Sequence, residues 1–221
     1  MNSESLLAIS PDGNTIVIVT GKSIEVIDLD FKHGKSVERA NFSANLQQVK
    51  AIAVSDNAQI IALAGIGQAE TIGNEQNSEE AIQLGKAEIW QGKEGEASPI
   101  DSYNHSRQVT AIAIDAKGDT VVSGTENGNI KLWRREGEVN NSEPEIQELR
   151  SSNRLVVNVV AIDPNGKWAA SANDTETLLW NLRTPDFNSL SLDTENTNSN
   201  EPLSQEPTPI KALTFIDTPL T

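Results

Sequence analysis

The chain has no cysteine, which removes disulfides, thiolate nucleophiles and every cysteine-ligated metal site together. It has only two histidines, His33 and His105, so histidine-based acid–base chemistry and histidine-ligated metals have little to draw on. Aromatic side chains are scarce, with four Trp, four Phe and one Tyr in 221 residues. Basic residues are in deficit, 17 against 32 acidic ones, for a formal net charge of −15. A surface this acidic repels phosphate backbones and anionic headgroups, so nucleic acid and membrane are poor partners. No apolar run approaches the length of a bilayer span, and the first fourteen residues, MNSESLLAISPDGN, lack the basic and long apolar regions of a secretory signal. The expectation is a cytoplasmic protein without metal or cofactor.

Local motifs that mimic functional sites are incomplete. Gly21-Lys22-Ser23 looks like the tail of a phosphate-binding loop, but Ile16 stands where the first glycine is needed and no helix follows. Gly65-Ile66-Gly67 lacks a third glycine. Residues 193–201 (DTENTNSNE) space oxygens like a calcium loop without its central glycine or flanking helices. His33 reads as a solvated loop histidine. No Ser/His/Asp arrangement emerges, and the protein is expected not to be an enzyme.

What is present is repetition. VKAIAVS (49–55), VTAIAID (109–115), VNVVAID (157–163) and IKALTFI (210–216) align, and LLAIS (6–10) matches the latter half of the same pattern. Alternation at period two makes each a strand. Turns rich in Asp, Asn, Pro and Gly follow at 10–14, 55–59, 115–119 and 163–167, then second strands at 15–19, 60–64, 120–124 and 168–172. Third strands end in Ile27, Trp90, Trp133 and Trp180. The equivalent positions Ser10, Ser55, Asp115, Asp163 and Ile216 are 45, 60, 48 and 53 residues apart. A four-stranded propeller blade needs about 40–45, so the surplus is assigned to polar insertions at 68–85 and 184–207, the latter read as disordered.

The segment HSRQVTAIAIDAKGDTVVSGTENGNIKLW (105–133) resembles a WD40 repeat along its whole length, and the weaker matches recur in phase with it. The resemblance implies an all-β WD40-type propeller in an incomplete ring of four four-stranded blades plus the first strand of a fifth. The divisions are blade one 3–45, blade two 46–104, blade three 105–152, blade four 153–207 and the start of blade five 208–221. Small residues at Ala51, Ala53, Ala111, Ala113 and Ala161 suit strands that crowd toward a common axis.

By resemblance, His105, Ser123, Asn127 and Trp133 form a structural tetrad in blade three, of which blade four keeps Ser171 and Trp180. Blades one and two carry Ile18 and Leu63 at the hydroxyl position and are expected to rely on apolar packing. The family's partner-contacting rim maps to Gln48, Lys50, Gln108, Thr110, Glu126, Val156, Asn158 and Lys211. The function implied is a non-catalytic scaffold for protein partners. Further blades would complete it, from a partner chain, a second copy or a longer parent such as a multidomain signalling protein. The alternative is a propeller that positions a separate catalytic partner.

Overall fold

The computed structural model describes residues 5–68, 84–93, 95, 98–135, 144–150, 153–184, 189–192 and 210–215. Sixteen strands fold into four antiparallel sheets of four, each in simple sequence order. Blade one holds β1 (Ser5–Ile9), β2 (Thr15–Thr20), β3 (Ser23–Asp30) and β4 (Lys35–Ser43). Blade two holds β5 (Gln48–Val54), β6 (Ile60–Ile66), β7 (Gly85–Gln91) and β8 (Asp101–His105). Blade three holds β9 (Val109–Ile114), β10 (Thr120–Thr125), β11 (Asn129–Arg134) and β12 (Glu145–Arg150). Blade four holds β13 (Val159–Ile162), β14 (Trp168–Ala172), β15 (Thr177–Asn181) and β16 (Ser189–Ser191).

The repeated turn has one mechanism in all four blades. Ser10, Ser55, Asp115 and Asp163 each offer a side-chain oxygen to the backbone N–H five residues on. The distances are 3.0 Å to Thr15, 2.9 Å to Ile60, 3.0 Å to Thr120 and 2.6 Å to Trp168. Each bond ties the end of the first strand to the start of the second, and a residue with positive φ closes the turn. Glycine fills that place at Gly13, Gly118 and Gly166, whereas blade two uses Ala58 at φ 47°. Neighbouring turns are joined as well: Asp56 N–H donates to Ala116 O at 2.8 Å, and Ala116 N–H to Pro164 O at 3.2 Å.

A blade with two apolar faces must be covered on both sides. Three buried clusters do this between consecutive blades. Val17, Val19, Ile24 and Val26 meet Ile61, Leu63 and Trp90 between blades one and two. Ala62, Ala64, Ala87 and Ile89 meet Val121 and Trp133 between blades two and three. Val122, Ile130 and Leu132 meet Ala169, Leu178 and Trp180 between blades three and four. The innermost strands β1, β5, β9 and β13 follow one another around a common cavity. Ile9, Val54, Ile112, Ile162, Leu213 and Phe215 are among its lining residues.

Two sequence expectations are corrected. The stretch 184–207, read as a disordered insertion, contains β16, whose Ser-Leu-Ser pairs with Trp180, Leu179 and Leu178. One apolar residue between two serines gives too little pattern to betray a strand, and only the neighbouring β15 selects it. Residues 210–215, read as the first strand of a fifth blade, have no strand pairing among the described residues, although Leu213, Thr214 and Phe215 line the axial cavity beside β13. Most of the insertion read at 68–85, the rest of 184–207 apart from residues 184, 189–191 and 192, and residues 208–209 and 216–221 lie outside the described residues.

Candidate docking surface and the seams beneath it

The loop between β8 and β9, the β10–β11 turn, the loop between β12 and β13 and the β14–β15 turn meet at one end of the blades. Backbone bonds fix their spacing: Glu126 N–H donates to Gln108 O at 3.1 Å, and Val157 N–H to Thr125 O at 3.0 Å. Gln108, Thr110, Glu126, Val156 and Asn158 are thereby gathered on one rim. Glu126 is exposed and Val156 is 43% exposed, while Gln108 and Asn158 are half-buried. Thr110 is committed inward, its hydroxyl donating to Val157 O at 2.7 Å. Gln48 is exposed and Lys50 half-buried at the matching end of β5, and Lys211 is exposed. The sequence reading missed two neighbours. Asp174 accepts a 2.6 Å bond from Asn158 Nδ2, and Leu155, 42% exposed, extends the apolar surface of Val156. A one-residue deletion in blade four hid the turn position of Asp174.

Beneath the rim, each seam has its own polar bridge. Between blades two and three, His105 Nε2 lies 2.9 Å and Tyr103 Oη 3.0 Å from Ser123 Oγ. The tetrad does not close as the resemblance implies. Trp133 donates its indole N–H to Asp101 Oδ2 at 2.6 Å, and Asn127 Oδ1 accepts from Thr125 Oγ1 at 2.7 Å. A carboxylate is a stronger acceptor than a hydroxyl, and Tyr103 already takes up Ser123. His105 Nδ1 is left buried without a hydrogen-bond partner. Burial, helped by the positive charge of Lys131, holds the His105 pKa at about 3, so the ring is neutral. Burial pushes the Tyr103 hydroxyl well up. In blade four the pair is direct, Trp180 Nε1 donating to Ser171 Oγ at 3.0 Å.

Blade two corrects a further expectation. Leu63 removes the hydroxyl, yet the seam with blade one is not purely apolar. Glu88, fully buried, accepts the Trp90 indole N–H at 3.2 Å and the Asn45 backbone N–H at 3.0 Å, with the Lys86 ammonium 3.5 Å away. Phe42 of blade one stacks on Trp90 with ring centroids 4.9 Å apart. At the opposite end, Arg39 of blade one grips Asp28 through two nitrogens and reaches across to Asn57 O at 2.6 Å. Asp12 Oδ1 accepts the Asn57 N–H at 3.3 Å. Hydrogen bonds from Ser10 above all, with Asn14 and Asn57, hold the Asp12 pKa at about 2 despite some opposing desolvation.

His33, read as an isolated loop histidine, pairs with the exposed Asp30 carboxylate at 2.6 Å. Among the described residues no cluster of three or more His, Asp or Glu could hold a metal ion, and no helix is long and apolar enough to cross a membrane.

Four-stranded antiparallel sheets stacked around one axial cavity define an arc of a β-propeller. The family model described as "WD domain, G-beta repeat" matches residues 97–134, from the approach to β8 through β9, β10 and β11. A WD40 repeat at 97–134, set among four four-stranded antiparallel sheets, fits a partial WD40 propeller. No curated protein matches it.

Proposed function

We propose that this protein is a non-catalytic docking platform that holds protein partners on the rim formed by Gln48, Lys50, Gln108, Thr110, Glu126, Val156, Asn158 and Lys211, in an arc completed by further blades. WD40 repeats generally mediate protein–protein interaction, and fold-level analogy alone would be an associational warrant. The observation that carries the reading is the rim between blades three and four. There Leu155 and Val156 stand exposed beside Glu126 and Asp174, on loops whose backbones are bonded to their neighbours. Such a surface offers apolar contact with polar surroundings at little ordering cost. The same tetrad residues, His105, Ser123, Asn127, Trp133, Ser171 and Trp180, serve in this reading as structural supports.

Photo-crosslinking amino acids placed at Glu126 and Val156 in the full chain, in its own cells, are expected to capture one protein repeatedly. The same probe at Phe31, exposed on blade one, is expected to leave that protein uncaptured. Capture at neither rim position overturns the reading. Small-molecule turnover by the purified chain would favour an enzymatic role instead.

A further inference from the structure

In every blade the turn between the first two strands is bonded to the end of the third strand in the same way. Leu29 N–H donates to Asn14 O at 2.8 Å, Gly92 N–H to Gln59 O at 3.0 Å, Arg135 N–H to Asp119 O at 2.9 Å and Leu182 N–H to Lys167 O at 2.9 Å. These bonds mark equivalent positions at the end of the blades opposite the rim. The third residue of the turn is Asp12, Asn57, Lys117 and Asn165 in blades one to four, and the fifth is Asn14, Gln59, Asp119 and Lys167. Just before the bonded N–H stand Asp28, Gln91, Arg134 and Asn181, and just after it Asp30, Lys93, Glu136 and Arg183. The bond forms whatever charge these places carry, so the fold itself requires no cation there.

Blade one fills them with three aspartates, and each is partnered. Asp12 accepts from Ser10 and Asn57, Asp28 is held by Arg39, and Asp30 pairs with His33. Blades three and four supply Lys117, Arg134, Lys167 and Arg183 instead. The backbone gathers these four at one seam. Ala116, beside Lys117, is bonded to Pro164 in the turn that ends at Lys167, and the Arg134 guanidinium crosses to Leu182 O at 2.8 Å, next to Arg183.

Lys117 and Arg183 are exposed, and Arg134 and Lys167 are half-buried. No ion pair among the described residues involves any of the four. Asp115 and Asp163 lie buried beneath them and spend their carboxylates on backbone N–H groups of the turns. Asp119 and Glu145 are exposed at the edge, and Glu145, opposite Arg134 in register, accepts from Gln147.

We infer that this end of the seam between blades three and four is a second docking surface, which takes an acidic segment of a protein partner against Lys117, Arg134, Lys167 and Arg183. It goes beyond the rim and does not depend on it. The chain as a whole carries −15, but at physiological salt charges are felt over only about 8 Å. A short acidic segment therefore meets the four cations alone. A DNA duplex or an anionic bilayer extends past them onto the acidic remainder and is repelled. The Arg134 guanidinium, fixed by Leu182 O, keeps further N–H groups for a carboxylate.

The probe is a fluorescein-labelled peptide of alternating Glu and Gly, followed by anisotropy with the full chain at physiological salt. Binding is expected, weakening as salt is raised. Lys167→Glu/Arg183→Glu is expected to weaken it by about tenfold, and Lys167→Gln/Arg183→Gln by less. Lys22→Glu/Arg154→Glu makes the same change in net charge at exposed positions of the rim end and is expected to leave binding unchanged. Far-ultraviolet dichroism should be the same for all. No binding by the wild type, equal loss in the two charge-matched pairs, or tighter binding of duplex DNA or phosphatidylserine vesicles overturns the proposal. Residues 136–143 carry Glu136, Glu138 and Glu143 and no basic residue. If changing all three to Gln tightens the peptide by tenfold or more, the chain's own loop is the occupant and the partner assignment falls. Rim capture at Glu126 and Val156 is read separately, so failure of the peptide leaves the rim standing, and failure of the rim leaves this surface.

Discussion

Trp133 donates its indole N–H to Asp101 at 2.6 Å, joining the third strand of blade three to the fourth strand of blade two across 32 residues of sequence. The indole is fully buried and Arg135 lies 5.4 Å from its ring centroid. The seam therefore has a charge-assisted bond where the sequence pattern points to a hydroxyl. Asp101→Ala leaves the indole N–H unpaired and is expected to cost about 1–3 kcal/mol. Asp101→Asn, which keeps an oxygen acceptor, should cost less. Urea unfolding of both variants measures the difference, and equal stability of all three proteins would show that the bond contributes nothing.

Ala58 occupies the glycine position of its turn at φ 47°, next to Asn57 at φ 51°. A left-handed backbone disfavours an L side chain by roughly 1–2 kcal/mol. Ala58→Gly is expected to stabilise the protein by about 1 kcal/mol, less what is lost from the more flexible unfolded chain. Gly118→Ala is the converse. It keeps φ at 79° and brings a methyl to 2.5 Å from Ile60 Cγ1, so the melting temperature should fall.

His105 ties stability to pH. Its folded pKa is about 3 against an ordinary 6.5. The unfolded chain therefore binds a proton below pH 6.5 that the native protein refuses until about pH 3. Its contribution is full above 6.5 and declines as the pH falls through that window, by at most about 1.4 kcal/mol per pH unit. Asp12, lowered to about 2 from 3.8, adds a loss of the same sign below pH 4, while Asp115, raised by burial, works the other way. Unfolding of the wild type and of His105→Gln, compared at pH 7 and pH 5, separates the histidine from the carboxylates. The wild type should lose stability over this interval and His105→Gln should lose less. Parallel behaviour of the two would refute the assignment.

Glu88 is the polar centre of the seam between blades one and two. Glu88→Ala strands the Trp90 and Asn45 donors and the Lys86 charge, and removal of one partner from such a buried set costs about 3–5 kcal/mol. Glu88→Gln keeps an acceptor and should lose less. Amide exchange reads the effect locally: protection should fall in β2, β3 and β6 before it falls in β14 and β15.

Much of the architecture was legible in order along the chain. The second strands start where the alternating pattern places them, at Thr15, Ile60, Thr120 and Trp168, because period two and the turn residues are local properties. The turn positions Ser10, Ser55, Asp115 and Asp163 were recognisable for the same reason. The partners in the seams were not. Glu88 and Asp101 carry no local mark of a seam residue, since nothing near them in sequence says what will face them.

The sequence by itself determined the first three strands of each blade, because strand alternation and hairpin closure are decided within a few residues, and it determined that neighbouring blades must cover one another. Tertiary structure alone decided which atoms meet between them: Asn45 with Glu88, 43 residues apart, and Arg39 with Asn57, 18 apart. A buried donor takes the strongest acceptor within reach, and reach is set by how the sheets stack.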